Sequence, residues 1–144
     1  MVSRKKTWTE KLNVDKQPVV KHLEEKFGDI PAGSDMLIPT PQMVDAYIRQ
    51  IPEGITTSVV TMRKDLAAMK NADYSCPLVT GIFLRIVAEA AYERYQQTHS
   101  MEGVTPFWRV IEPDSALARK LSFGTDFIIE QRAKEHKQTG RLVG

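Results

Sequence analysis

The chain has 144 residues, 42% of them hydrophobic and 26% charged, which is the balance of an ordinary globular domain and argues against global disorder. A formal net charge of +2 is too small to demand a nucleic-acid partner, and the single cysteine, Cys76, excludes an intramolecular disulfide and a multi-cysteine zinc site. No apolar run approaches the roughly 20 residues of a membrane helix, and the basic start Met1–Lys6 lacks the apolar core of a signal peptide, so a cytoplasmic protein with no membrane partner is expected.

Residues 1–6 read as a disordered basic tail. Arg4, Lys5, Lys6, Lys11, Lys16, Lys21 and Lys26 outnumber Glu10, Asp15, Glu24 and Glu25. That run suits a solvated tail better than an arm on phosphates. An extension covering residues 7–39 follows. The i, i+4 spacing of Trp8 and Leu12 predicts a helical turn over Thr7–Leu12 that anchors Trp8. Lys16–Phe27 reads as a second short helix with Val19, Val20, Leu23 and Phe27 inward. Gly28–Ser34 is a loop by composition, and Met36–Ile38 is a short extended segment closed by Pro39.

The main domain is expected over residues 40–137. Thr40 caps a helix with Pro41 at its first position, and Val44, Tyr47, Ile48 and Ile51 form its buried face. Pro52-Glu53-Gly54 turns the chain into an extended Ile55–Thr57. Ser58 then starts a helix that buries Val59, Met62, Leu66 and Met69 and leaves Arg63, Lys64 and Asp65 to water. Asn71–Ser75 is a turn. Ser75 or Cys76 caps the longest and most apolar helix, about Pro77–Gln97, in which Ile82, Phe83, Ile86, Val87, Ala90 and Ala91 face inward. Thr98–Gly103 is a polar loop. Phe107, Trp108, Val110 and Ile111 are strand formers, Glu112–Ser115 is a turn, and Leu117–Leu121 resumes order. A last helix spans about Asp126–Lys137 with Thr125 as cap, and residues 138–144 read as a frayed tail. The order of helices followed by strand-turn-strand predicts an α+β, mostly helical, winged helix-turn-helix-like domain with an N-terminal helical extension.

Several landmarks stand in a fixed order. Ile51-Pro52-Glu53-Gly54-Ile55-Thr56-Thr57 is a helix end, a turn and a Thr-containing segment. The helices Val59–Met69 and Pro77–Gln97 come next, followed by Pro106-Phe107-Trp108-Arg109-Val110-Ile111. Asp114-Ser115-Ala116-Leu117 and a Gly124-led helix close the set. Over residues 40–136 this resembles the C-terminal DNA-binding domain of the O6-alkylguanine-DNA alkyltransferases, whose active-site segment is Pro-Cys-His-Arg-Val-Ile. Within that family the chain is similar to alkyltransferase-like proteins, which bind alkylated DNA without repairing it. It also resembles a branch with Pro-aromatic-Trp-Arg and a Cys-Pro-x-x-Thr-Gly-Ile-Phe helix start, here Cys76 to Phe83.

The departures define the expected function. Phe107 stands at the position of the family's reacting cysteine and Trp108 at that of its histidine. Alkyl transfer needs a thiolate or another activated nucleophile, which Phe107 cannot supply, so no catalytic residue, cofactor or metal is assigned. The family's base-replacing arginine has no counterpart in Leu78-Val79-Thr80-Gly81, with Arg85 a turn further on. Its phosphate-rotating tyrosine is replaced by Ser58 or Val59. Both losses weaken base flipping more than DNA binding in general. Thr80, Arg85, Arg63 and Lys64 are the candidate DNA-facing residues.

The resemblance implies a pocket lined by Pro106, Phe107, Trp108 and Arg109, whereas the strand pattern allows Phe107 and Trp108 simply to complete the core; Arg109 matches the family's structural arginine and is expected to hold a buried carbonyl or carboxylate. Cys76, at a helix N-terminus, could be a reactive thiol, but a small buried hydrophobe is the commoner fate. His22, His99 and His136 show no metal-ligand spacing. The resemblance implies a non-catalytic, monomeric DNA-repair-related protein that binds duplex DNA. The alternatives are a protein-interaction module on the same scaffold and, third, a Cys76-dependent transferase.

Overall fold

Four helix starts are set by a hydroxyl that accepts from a backbone N–H of the first turn. Thr7 does so for α1 (Trp8–Leu12), within a capping box completed by Glu10. Thr40 does so for α2 (Pro41–Arg49), Ser58 for α3 (Val59–Met69) and Ser115 for α5 (Ala116–Lys120). These are found in a computed structural model that describes residues 6–143, with side chains through Lys137. The remaining helices are α4 (Pro77–Thr98), led by Cys76 and Pro77, and α6 (Asp126–Val143). The expected disorder of residues 1–5 and the terminal Gly144 lie outside the described residues. The helix that was expected to end near Lys137 runs on to Val143.

The chain is α+β, about half helical, with six helices and one three-stranded sheet among the described residues. Strands β1 (Val19–His22), β2 (Asp35–Ile38) and β3 (Tyr74–Ser75) lie in that spatial order, β1 antiparallel to β2 and β2 parallel to β3. Helices α2 and α3 make the crossover that parallel pairing requires. The predicted extension therefore shares a sheet with the main domain.

This corrects the reading of Lys16–Phe27 as a helix. Val19 and Val20 are 53% and 44% exposed on an edge strand, and only Leu23 of the four expected inward residues is buried. Their helical spacing was coincidental, and pairing with β2, which local periodicity cannot reveal, decided the outcome. Tyr74–Ser75, expected as a turn, supplies β3.

The second correction concerns the segment after α4. Phe107–Arg109 is a 3-10 turn, and no strand occurs beyond Ser75 among the described residues. The expected strand-turn-strand is absent because no neighbouring strand offers a ladder. Phe107, Trp108, Val110 and Ile111 are all buried, so the run fills core from several directions instead of alternating across a sheet.

One cluster joins Leu37, Val44 and Ile48 to Met62, Leu66, Leu84 and Val87, and onward to Phe107, Val110, Ile111, Ala118 and Ile128. A smaller one gathers Leu23, Ile30, Met36 and Cys76 beneath β1 and the start of α4. Met69 and Ile82, both expected inside, are exposed, whereas Leu84 and Ala88 take the innermost line of α4. At the end of α2, Gly54 adopts φ +84°, a left-handed turn conformation costly for any side chain.

Candidate nucleic-acid interface and the Trp108 recess

The first two turns of α4 sit between two depressions. On one side Arg63 and Lys64 of α3 line a recess of about 450 Å³ with Asp29, Val60, Asp73 and Tyr74. On the other, Arg85 lines a groove of about 480 Å³ with Trp8, Lys11, Leu78, Ile82 and Lys120. Pro77 borders both. The helix start presents an apolar ridge on the wall of the second groove, with Leu78 64% and Ile82 51% exposed.

Three of the four candidate DNA-facing residues therefore lie beside this ridge, Arg63 and Lys64 apart from Arg85. Thr80 does not reach the surface. It is 0% exposed and its hydroxyl donates to the Cys76 carbonyl at 2.6 Å, satisfying a group inside the first turn, so Thr80 is corrected from a groove-facing residue to a core one. Cys76 is buried with Leu23, Ile30 and Met36 while its N–H donates to Leu37 at 2.8 Å. It is held as a packed hydrophobe, without the exposure a reactive thiol requires.

Arg63 and Arg85 share an unusual state. Each places its Nε out of solvent with no hydrogen-bond partner. Arg85 makes a long ion pair, 3.7 Å, to the buried Glu89, whose oxygens accept from the backbone and hydroxyl of Ser122. A buried donor left unpaired costs about 1–3 kcal/mol.

Sequence reasoning took Trp8 only as an anchor and Lys11 only as one of the N-terminal basic residues, and it placed neither of them, nor Lys120, at a site. Their signal was weak: Lys11 follows Trp8 by one helical turn, and nothing local places either beside Arg85.

The second site surrounds Trp108. Pro106, Trp108 and Arg109 line a recess of about 420 Å³ with Arg49, Glu53, Gln131, Lys134 and Glu135. Phe107 is not part of its wall. It is fully buried, in edge contact with Trp108 and Phe123 and stacked near Phe127, which corrects its assignment as a pocket residue.

Glu135 organises the recess. It accepts from Trp108 Nε1 at 2.9 Å, from Arg109 Nη2 at 2.6 Å and from the Gly54 N–H at 3.3 Å. Burial pushes its carboxyl up, yet the hydrogen bonds from Arg109, Trp108 and Gly54 outweigh burial and hold it below the usual carboxylate range. Arg109 also donates to the Ile51 carbonyl at 2.6 Å, so it holds both a carbonyl and a carboxylate. Arg132 Nε donates to the Trp108 carbonyl at 2.6 Å.

The main polar groups around Trp108 are thus spent on one another, and the ring itself is only 4% exposed. The site is a clasp between the 3-10 turn and α6, with little face on which a base could stack.

Elsewhere, His22 lies 2.9 Å from Asp35, and no group of three His, Cys, Asp or Glu side chains able to hold a metal occurs among the described residues. Among the described residues no helix is long and apolar enough to cross a membrane. Comparison of the chain with protein-family models, with curated proteins and with solved structures finds no match to any of them.

Proposed function

We propose that the chain is a non-catalytic, alkyltransferase-like protein that binds duplex DNA in a repair context, with α3 and α4 as its helix-turn-helix. The observation that carries this reading is the start of α4. A ridge of Leu78 and Ile82 stands between cations on both flanks, Arg63 and Lys64 on one and Lys11, Arg85 and Lys120 on the other. Phosphates on either side of a groove would meet these cations while the small, uncharged helix start approaches the bases. Cytoplasmic placement and a winged-helix ancestry belong to the same reading, in which residues 104–115 take the place of the wing. Phe107 and Trp108 stand for the family's cysteine and histidine, and neither can carry an alkyl group.

The test is fluorescence anisotropy of labelled duplexes, plain and carrying O6-methylguanine, across a salt series. DNA binding requires an affinity that falls linearly in log–log form as salt rises. Tighter binding of the modified duplex would add lesion recognition. No association at low salt would remove the proposal.

A second reading is favoured by the same ridge, since Leu78 and Ile82 are exposed, and so are Val60 and Tyr74 in the recess across Pro77. Contiguous exposed apolar residues commonly mark protein contacts. In that case Leu78→Asp would abolish partner binding, and salt would have little effect on wild-type affinity.

A further inference from the structure

We propose that α1 is part of the DNA-binding surface. On this inference the groove it forms with α4, lined by Trp8, Lys11, Gly81, Arg85 and Lys120, is a clamp for the phosphodiester backbone of a duplex lying on α4. The inference rests on the DNA-binding reading above and names the contact that the N-terminal extension adds to it.

Helix α1 is fixed in place. The Glu93 carboxylate on α4 accepts from the Trp8 N–H and the Thr9 N–H, each at 3.3 Å, and from the Thr9 hydroxyl at 2.6 Å. Held this way, the Trp8 ring lies between α1 and α4 and gathers two cations. The Lys11 ammonium is 4.2 Å from its centroid and the Arg85 guanidinium 5.4 Å. Cation–π attraction orders both charges without neutralising either.

Lys120, at the end of α5, completes the lining, and no carboxylate lines this groove. The recess beside Arg63, by contrast, includes Asp29 and Asp73. The floor is open where a strand would approach, because a Cβ added at Gly81 would meet nothing within 4 Å. Arg85 has its Nε buried without a hydrogen-bond partner, so its guanidinium is positioned by packing and the distant Glu89, leaving its donating edge uncommitted.

Three cations on a groove whose lining holds no carboxylate fit a polyanionic strand. The neighbouring ridge of Leu78 and Ile82 puts that strand beside the helix proposed to enter a groove. Two cations already lie over the Trp8 ring, which favours phosphate over a stacked base as the ligand chemistry.

The experiment compares the full wild-type chain with the pair Lys11→Gln/Lys120→Ala, both exposed or half-exposed positions whose change leaves the core untouched. Circular dichroism verifies the fold, and Lys134→Ala, at the Trp108 recess, serves as charge-matched control for one lysine. Anisotropy with one labelled duplex is read from low to moderate salt. The slope of log affinity against log salt is expected to fall by about two in the double variant, because each lost phosphate contact removes about 0.9. It should stay unchanged in Lys134→Ala.

Tryptophan emission supplies a second readout. Trp108 is buried, so a DNA-induced change is expected to vanish in Trp8→Phe. If the wild type binds DNA and the double variant keeps the same slope and affinity, the clamp is wrong and the DNA-binding reading survives. If the wild type does not bind at low salt, both fall together.

Discussion

Glu135 shows how single side chains define the Trp108 recess. Its carboxylate joins the 3-10 turn, the α2 turn and α6 through Trp108, Arg109 and Gly54. The Arg109–Glu135 side chains are only 14% and 11% exposed. Removing one partner from such a pair leaves the other charge stranded, so Glu135→Ala is expected to destabilise the fold by about 3–5 kcal/mol, read from urea midpoints at neutral pH.

The pH dependence carries a sign. The carboxyl is depressed in the fold, so its contribution is complete above the unfolded value of roughly 4.3 and is lost as pH falls through the lower folded one. Wild-type stability should therefore drop below about pH 4 more steeply than that of Glu135→Gln. An equal acid limb in both proteins would show that this carboxylate does not govern the transition.

Arg109 was expected as a buried anchor from the resemblance alone, since it stands at the position of the family's structural arginine. Its partner on α6 was not, being 26 residues away. Phe107 was ambiguous for a physical reason: an aromatic can wall a pocket or fill a core, and only the positions of Phe123 and Phe127 decide. Because position 107 is fully enclosed, Phe107→Cys/Trp108→His is expected not to regain alkyl transfer from an O6-alkylguanine duplex. A labelled alkyl group found on the new cysteine would contradict that enclosure.

At the scale of elements, the helices were readable where a cap, a proline and a periodic face coincide. Thr40-Pro41 with Val44 and Ile48, and Ser58 with Met62 and Leu66, are local signals, and each element lies where those signals put it. Of the sheet only β2 was readable, as the extended Met36–Ile38, and its two partners were not. Two of its three strands are short, and β3 has only two residues, held by a parallel partner more than thirty positions back.

Val19-Val20-Lys21-His22 satisfied a helical spacing, but a β-branched pair after Pro18 at a sheet edge is equally good local chemistry. Helix α1 gives the test at this scale. With five residues it is too short to persist alone, so its order depends on the Glu93 clasp and on Trp8 packing. Glu93→Ala is expected to raise amide exchange at residues 8–13 by at least an order of magnitude while leaving α4 protected. Uniform loss of protection across the chain would mean instead that the clasp supports the whole fold.

Taken whole, the molecule has one large core and a small satellite, and the two differ in what they hold. The large cluster reaches from β2 to α6 through Leu84, Val87 and Phe107, so its loss should unfold everything at once. Leu84 is 0% exposed at its centre. Leu84→Ala is expected to cost about 2–5 kcal/mol by transfer and cavity terms together. Unfolding should stay a single transition, with tryptophan emission and far-ultraviolet ellipticity moving in step.

The satellite of Leu23, Ile30, Met36 and Cys76, with Ile38 and Val79 packed on it, attaches the segment after β1 to β2 and the base of α4. Leu23→Ala should therefore act locally. It would release β1, which pairs only with β2, before the main transition, and native-state exchange at residues 19–23 would report an opening far below the global free energy. This separation bears on function, because the satellite lies directly under Cys76 and Pro77 and so supports the ridge proposed to meet DNA. A Leu23→Ala protein that keeps its midpoint within about 1 kcal/mol of wild type yet binds duplex more weakly would tie the sheet to the α4 surface. Unchanged binding, with the same local exchange, would show that the ridge is held by the main core alone.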